Sequence, residues 1–283
     1  MEIAHCILEF NKIRDSLSGS IGFVPTMGAL HQGHLSLIEE SNNKCDHTIV
    51  SIFVNPKQFS PNEDFDSYPR TIDEDILRLQ SLNISVLFLP KSHDIYNNEY
   101  NGIQYNSYMF KILEGVKRAH FFKGVCDVVA RLFNIVNPTD VFLGEKDFQQ
   151  LRIIEDMVIN LNYNINIIPC KIIREENGLA MSSRNNYLNL EDRFKAKIIY
   201  QTLQLGIKLV NGGEKNVLNL YHQLKSKLLS EKIISIDYIK LVDNVSLNEI
   251  SNIIDGSFVL CIAVYIGETR LIDNIQFNIL NNK

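Results

Sequence analysis

A chain of 283 residues is too long for one ordinary domain and too short for three at about 150 residues each, so two are expected. Hydrophobic residues at 45% and charged residues at 22%, with 14 Gly and 7 Pro, exclude disordered, collagen-like and low-complexity classes. The 28 basic and 33 acidic side chains give a formal net charge of −5, which excludes bulk attraction to nucleic acid or anionic lipid and leaves any anionic substrate to a local cluster.

The first half alternates short apolar runs with amphipathic segments. Residues 21–24 form an apolar run that ends at Pro25, and a helical pattern follows over 33–43 through Leu35, Leu37 and Ile38. A continuous apolar run at 49–54 precedes helical spacing of Ile76, Leu79 and Leu82 within 72–82, and another run occupies 86–89. Residues 125–136 read as helix, 141–143 as strand, 147–161 as helix and 165–168 as strand. Apolar runs bounded by turns and separated by helices predict a parallel sheet buried on both faces, hence an α/β, Rossmann-like doubly wound domain over 1–174.

The pattern then changes. Residues 191–210 carry Phe194, Ile198, Leu205 and Leu209 at helical intervals, Gly212-Gly213 stops them, and 217–229 repeats the period. Strand-like runs follow at 236–242, 258–266 and 270–277, the last two joined by Gly267-Glu268-Thr269, a turn short enough to require an antiparallel pair. A smaller α+β domain over 175–283 is expected. The five cysteines, Cys6, Cys45, Cys126, Cys170 and Cys261, are scattered without a C-x-x-C pair, as reduced thiols would be. The first residues lack a basic, apolar leader, and no stretch approaches the roughly 18 apolar residues of a membrane span, so a soluble cytoplasmic protein is expected.

Four segments carry chemistry. Gly22-Phe23-Val24-Pro25-Thr26-Met27-Gly28-Ala29-Leu30-His31-Gln32-Gly33-His34 leaves a strand and opens a helix, where a Gly-rich turn and a helix N-terminus meet a phosphate. His31 and His34 can both face that anion as donors, or they can simply cap the helix. In Met181-Ser182-Ser183-Arg184, two hydroxyls and a guanidinium make a cationic clip suited to a triphosphate, while a Ser N-cap is the plainer reading. Gly144-Glu145-Lys146-Asp147-Phe148-Gln149-Gln150 offers a close backbone approach, a cation, and an amide one helical turn beyond it. Asn55-Pro56-Lys57-Gln58 puts two amides at a strand end, where they can bind hydroxyl and carboxylate groups.

His-x-Gly-His followed by Ser-Ser-Arg resembles the signature pair of the His-x-Gly-His nucleotidyltransferase superfamily. With Tyr68-Pro69-Arg70 and Gly124-Val125, the four segments are similar in order and spacing to the pantothenate synthetase (pantoate–β-alanine ligase) family. The resemblance implies a Rossmann-like domain of that nucleotidyltransferase type. It also implies condensation of pantoate with β-alanine through a pantoyl adenylate, with ATP as substrate, Mg2+ carried in with ATP, and a homodimeric enzyme. Met27, Gly28, Ala29, Leu30, His31, Gln32, Gly33 and His34 would hold ATP, with His34 as proton donor. Gly144, Glu145, Lys146, Asp147, Ile173, Met181, Ser182, Ser183 and Arg184 would complete the nucleotide site. Gln58 and Gln150 would grip pantoate, Gln58 would also border β-alanine, and Asn55, Tyr68 and Arg118 would stand behind them.

Some positions depart from the family pattern. Phe121 stands where the family has His in Arg118-Ala119-His120-Phe121-Phe122-Lys123-Gly124-Val125, and Asn177 precedes Gly178 where Asp is common. Asp73-Glu74-Asp75 could touch magnesium, although acidic residues in a first helical turn follow from the helix dipole alone. His5, His47, His93 and His222 have no partners at metal spacing, and no protein metal site is expected. Two rival functions remain. A cytidylyltransferase-like enzyme would need more basic residues and neither Gln; a non-catalytic nucleotide- or tRNA-binding module would want a basic, aromatic-rich appendage.

Overall fold

The computed structural model describes residues 1–59, 64–96, 101–118 and 120–279. The chain divides into two compact units. Met1–Glu145 with Gln149–Lys171 form one; Lys146–Phe148 join the residues from Ile172 on in the other. The turn at Lys146–Phe148, which no sequence pattern assigns to the later domain, thus belongs to the second unit.

In the first unit six parallel strands form one sheet: β1 (Glu2–Ala4), β2 (Ile21–Thr26), β3 (His47–Ile52), β4 (Val86–Phe88), β5 (Asp140–Gly144) and β6 (Asn166–Cys170), in the order β1-β4-β3-β2-β5-β6. Its helices are α1 (Ile7–Arg14), α2 (Gln32–Lys44), α3 (Ile72–Gln80), α4 (Ser92–Ile95), α5 (Phe121–Val136) and α6 (Phe148–Asn160). All of β2 but Pro25 is buried, as a strand covered on both faces requires. One core joins Val24, Val50 and Leu87 of the sheet to Leu37 and Ile38 of α2 and Leu79 of α3. Full burial of such side chains contributes about 1.5–3 kcal/mol each. β1 and α1 escape the sequence reading because three residues of strand and one buried helical residue, Phe10, leave too little periodicity.

Strand order reverses at β2: β3 and β4 extend to one side, β5 and β6 to the other. The paired strands β2 and β5, in register at Gly22 with Asp140 and Phe23 with Val141, therefore form the switch point beyond whose carboxyl ends an α/β sheet binds ligands. Residues 27–34 follow one of these ends and Gly144 closes the other.

The second unit holds α7 (Leu190–Lys195), α8 (Lys197–Asn211) and α9 (Val217–Leu228) with an antiparallel sheet β7 (Ile234–Asp243), β8 (Gly256–Ile266) and β9 (Thr269–Ile279). The single helix expected over 191–210 is broken at Ala196 into α7 and α8. Leu203 and Gly206 of α8 and Leu220 and Leu224 of α9 pack on the sheet; a Cβ at Gly206 would stand 2.5 Å from Leu260.

Candidate active site

The loop after β2 is held from outside its own segment. Thr26 Oγ1 donates to the Ser51 carbonyl at 2.9 Å and accepts from Gly28 N at 3.2 Å. Gly28 and Ala29 then take positive φ of 84° and 50°, the second a strained choice for a residue with a Cβ. Asp75 of α3 stabilises this turn: its two carboxylate oxygens accept from Ala29 N at 2.9 Å and Leu30 N at 2.8 Å. Thr71 Oγ1 donates to the same carboxylate at 3.3 Å, and Arg78 Nη1 donates to the Leu30 carbonyl. Burial raises the Asp75 pKa from the usual carboxylate range, opposed by the backbone and Thr71 hydrogen bonds. Asp75 is therefore committed to the loop, not displayed to a metal. Leu30 has its side chain in the core and both backbone groups engaged.

The two imidazoles both cap α2. His31 is the N-cap; its Nδ1 accepts from Gly33 N at 3.1 Å, and His34 Nδ1 accepts from His31 N at 3.3 Å. The rings stack with centroids 4.0 Å apart and 29° between planes. A ring nitrogen that accepts carries no proton, so in this arrangement each imidazole is neutral and bears its hydrogen on Nε2. The sequence leaves capping and anion binding as alternatives; here capping fixes the tautomer that makes Nε2–H a donor. The pair thus stands as two neutral imidazoles at a helix N-terminus. Gln32 is exposed, while Met27, Gly33 and both histidines are half-buried.

The amides divide into two classes. Gln149 is spent on the fold: its Oε1 accepts from Glu114 N at 3.0 Å and its Nε2 donates to the Met109 and Ile112 carbonyls at 2.7 and 2.8 Å. Asn55 is fully buried, donating to Gly124 O at 3.0 Å and accepting from Tyr96 Oη at 2.7 Å and Lys57 N at 3.2 Å. Among the described residues, the side-chain amides of Gln58 and Gln150 have no hydrogen-bond partner. A Cβ at Gly144 would meet nothing within 4 Å, so the strand end there is open. A Cβ at Gly124 would stand 2.1 Å from the Lys57 carbonyl, because α5 packs directly on the turn that carries Gln58.

The altered segment has its own geometry. The Arg118 guanidinium lies 3.7 Å over the Phe121 ring, and its Nη2 donates to the Gln58 carbonyl at 3.3 Å. Phe121, at the position where the resemblance leads one to expect His, thus gives Arg118 a stacking surface. His120 is exposed, and Ala119 lies outside the described residues. Tyr68 is buried edge-on against Phe59. A cavity of about 190 Å³ touches Met27, Gly28, Arg70, Thr71 and Asp75; neither histidine, nor Gln58, nor Gln150 lines it.

In the second unit Lys146 Nζ lies 3.5 Å from Asp147, and the Lys146 carbonyl accepts from Asn274 Nδ2 at 2.9 Å. Ile173 and Met181 close a short antiparallel hairpin, Met181 N donating to Ile173 O at 3.0 Å. Ser182 Oγ caps the turn Ser183–Tyr187 by accepting from Arg184 N at 3.3 Å, the N-cap that the plainer reading expects. Met181, Ser182, Ser183 and Arg184 are all half-buried. Arg174 braces the hairpin: it forms a two-pronged pair with buried Asp273 at 2.6 and 3.0 Å, donates to Gly178 O at 3.1 Å and lies 3.9 Å over Tyr200. Glu175 receives Arg193 at 2.8 and 2.9 Å and Asn185 Nδ2 at 2.7 Å. Sequence reasoning passes over Arg174, Asp273 and Asn274; two adjacent polar residues break the inward–outward alternation of the strand, and that is the one signal that could have flagged them.

All five thiols are free, and burial pushes Cys170 up to about 12 and Cys45 up to about 11, which leaves neither as a nucleophile at neutral pH. Among the described residues no group of three His, Cys, Asp or Glu could hold a metal, and no helix is long and apolar enough to cross a membrane.

Comparison with known proteins gives a consistent picture. The family model described as pantoate-beta-alanine ligase matches residues 2–276. The chain is 45% identical to the pantothenate synthetase of Clostridium acetobutylicum, covering 99% of this chain and 100% of that protein. It is 46% identical to that of Clostridium botulinum over 92% of each. Among solved structures, pantothenate synthetase from Thermus thermophilus superposes with a TM-score of 0.91 at 35% identity, covering 97% of this chain and 99% of that one. Pantoate-beta-alanine ligase from Francisella tularensis, solved with an ATP form and β-alanine, superposes at 0.79 and 38% identity over 97% of each.

Proposed function

The chain belongs to the pantoate–β-alanine ligase family and is an enzyme that makes pantothenate; on that premise we propose that it does so with ATP, through a pantoyl adenylate. The pantoate carboxylate attacks the α-phosphorus, an O–P bond forming as the bond to pyrophosphate breaks. The β-alanine amine then attacks the acyl carbon, forming the C–N bond as AMP departs and the amine loses a proton.

The observation that carries the residue assignments is the stacked His31–His34 pair at the switch point, with two neutral Nε2–H donors at a helix N-terminus. In the first unit Met27, Gly28, Ala29, Leu30, Gln32 and Gly33 shape the phosphate-binding turn. His31 and His34 donate to oxygens that gain charge, with His34 the catalytic donor. Gly144 and Glu145 admit the nucleotide where no Cβ obstructs it. The unpartnered amides of Gln58 and Gln150 bind pantoate, and Gln58 also borders β-alanine. In the second unit Lys146, Asp147, Ile173, Met181, Ser182, Ser183 and Arg184 bind ATP. Lys146 and Arg184 supply positive charge there.

Because phosphoryl chemistry of this kind needs position and charge stabilisation, no covalent enzyme intermediate is invoked. Mg2+ would be carried in with ATP and would neutralise charge on its phosphate oxygens. A cytoplasmic setting is supported by the five free thiols, and a homodimer by the family resemblance alone. An assay of AMP release with each substrate omitted in turn tests the reading: AMP must require ATP, pantoate and β-alanine together. A nucleotide conjugate as product would instead favour the cytidylyltransferase-like alternative.

A further inference from the structure

β9 places two buried polar residues side by side, Asp273 at 3% and Asn274 at 4% exposure, in a sheet whose other buried positions are almost all apolar. Burying such groups is costly unless their hydrogen bonds are made, and here every partner identified lies on a segment that the proposed function assigns to ATP or on its support. Asn274 Nδ2 donates to the Lys146 carbonyl at 2.9 Å, a contact spanning 128 residues of sequence. Asp273 accepts both prongs of Arg174, and Arg174 donates onward to Gly178 O within the hairpin that ends at Met181. Asp273 Oδ1 also accepts from Asn274 N at 2.8 Å, and Arg174 Nη2 reaches Asn274 O at 3.4 Å, so the two residues share one network.

We infer that Asp273 and Asn274 are positioning residues for the nucleotide: Asn274 fixes the turn that aims Lys146, and Asp273, through Arg174, fixes the hairpin that leads into Met181, Ser182, Ser183 and Arg184. Neither touches substrate. Their effect passes through backbone atoms, a carbonyl in each case, so it falls on where the ATP-binding side chains start and not on their chemistry. This rests on the assignment of Lys146 and residues 181–184 to ATP.

The test is a double-mutant cycle of Asn274→Asp with Lys146→Ala, read as separate KM values for ATP and pantoate on protein shown by thermal unfolding to be folded. Asn274→Asp keeps the side-chain shape and removes the N–H donor; Asn274→Ala serves if the carboxylate prevents folding. We expect KM for ATP to rise roughly tenfold, the scale of one lost hydrogen bond, with KM for pantoate within about twofold. The double variant should be no worse toward ATP than Lys146→Ala alone. Equal rises in both KM values, or additive losses in the cycle, overturn the inference while leaving the ATP assignment standing. A Lys146→Ala variant that is itself indifferent to ATP overturns the assignment and the inference with it.

Discussion

His31 and His34 stack with ring centroids 4.0 Å apart, and each gives its Nδ1 to a backbone N–H of the turn they share. That relationship couples folding to chemistry: the same hydrogen bonds that cap α2 leave the ring proton on Nε2. Replacing His34 by Ala removes a cap and a donor together. Pantoate-dependent pyrophosphate release should fall by about 10²-fold or more, the scale of one lost donor or acid. A rate within a few-fold of the parent enzyme would contradict the role given to His34.

Asp75 gives a signed pH dependence. Its carboxyl pKa is raised by burial, so the native protein takes up this proton at higher pH than the unfolded chain does. Between those two values stability falls as pH rises, because the ionised form is the costly one. The loop needs the ionised form, since both oxygens accept N–H groups, so the acid limb of kcat/KM should lie above the ordinary carboxylate range. Thr71→Val removes a hydrogen bond that favours the carboxylate and should move that limb further up. A limb that stays in place or moves down in the variant would be incompatible with this account.

Gly144 and Gly124 should part company under substitution. Gly144→Ala adds a methyl into open space, so thermal stability should hold while KM for ATP rises. Gly124→Ala drives a Cβ into the Lys57 carbonyl and should cost about 1–3 kcal/mol or more, measured by denaturant unfolding. Unaltered ATP kinetics in a folded Gly144→Ala protein would remove Gly144 from the nucleotide site.

Neighbouring glutamines give the matching contrast. Gln149→Ala removes three hydrogen bonds, one from the Glu114 N–H and two to the Met109 and Ile112 carbonyls, and should destabilise by about 1–3 kcal/mol. Gln150→Ala breaks no hydrogen bond within the described residues, so it should spare stability and raise KM for pantoate more than KM for ATP. Equal rises in the two KM values would argue against the pantoate assignment.

What was legible in the sequence was local. His31 and His34 announce themselves because they stand three positions apart with a glycine between them, and the apolar run at 49–54 announces β3 because both its faces are covered. Asp75 was legible only as a first-turn acid; its hold on Ala29 and Leu30 spans 46 and 45 residues and has no local trace. Nor can spacing tell Gln149 from Gln150, since neighbouring helical side chains point in different directions and the partners of Gln149 lie 35 to 40 residues back. Phe121 read as a loss of the family's His; in three dimensions it is the ring beneath Arg118.

The route through a pantoyl adenylate is tested most directly with pantoate carrying heavy-isotope oxygen in its carboxylate, turned over with ATP and β-alanine and followed by mass analysis of the products. Attack of that carboxylate on the α-phosphorus predicts one labelled oxygen in the AMP phosphate and none in pyrophosphate. Label absent from AMP, or found in pyrophosphate or free phosphate, would contradict the adenylate.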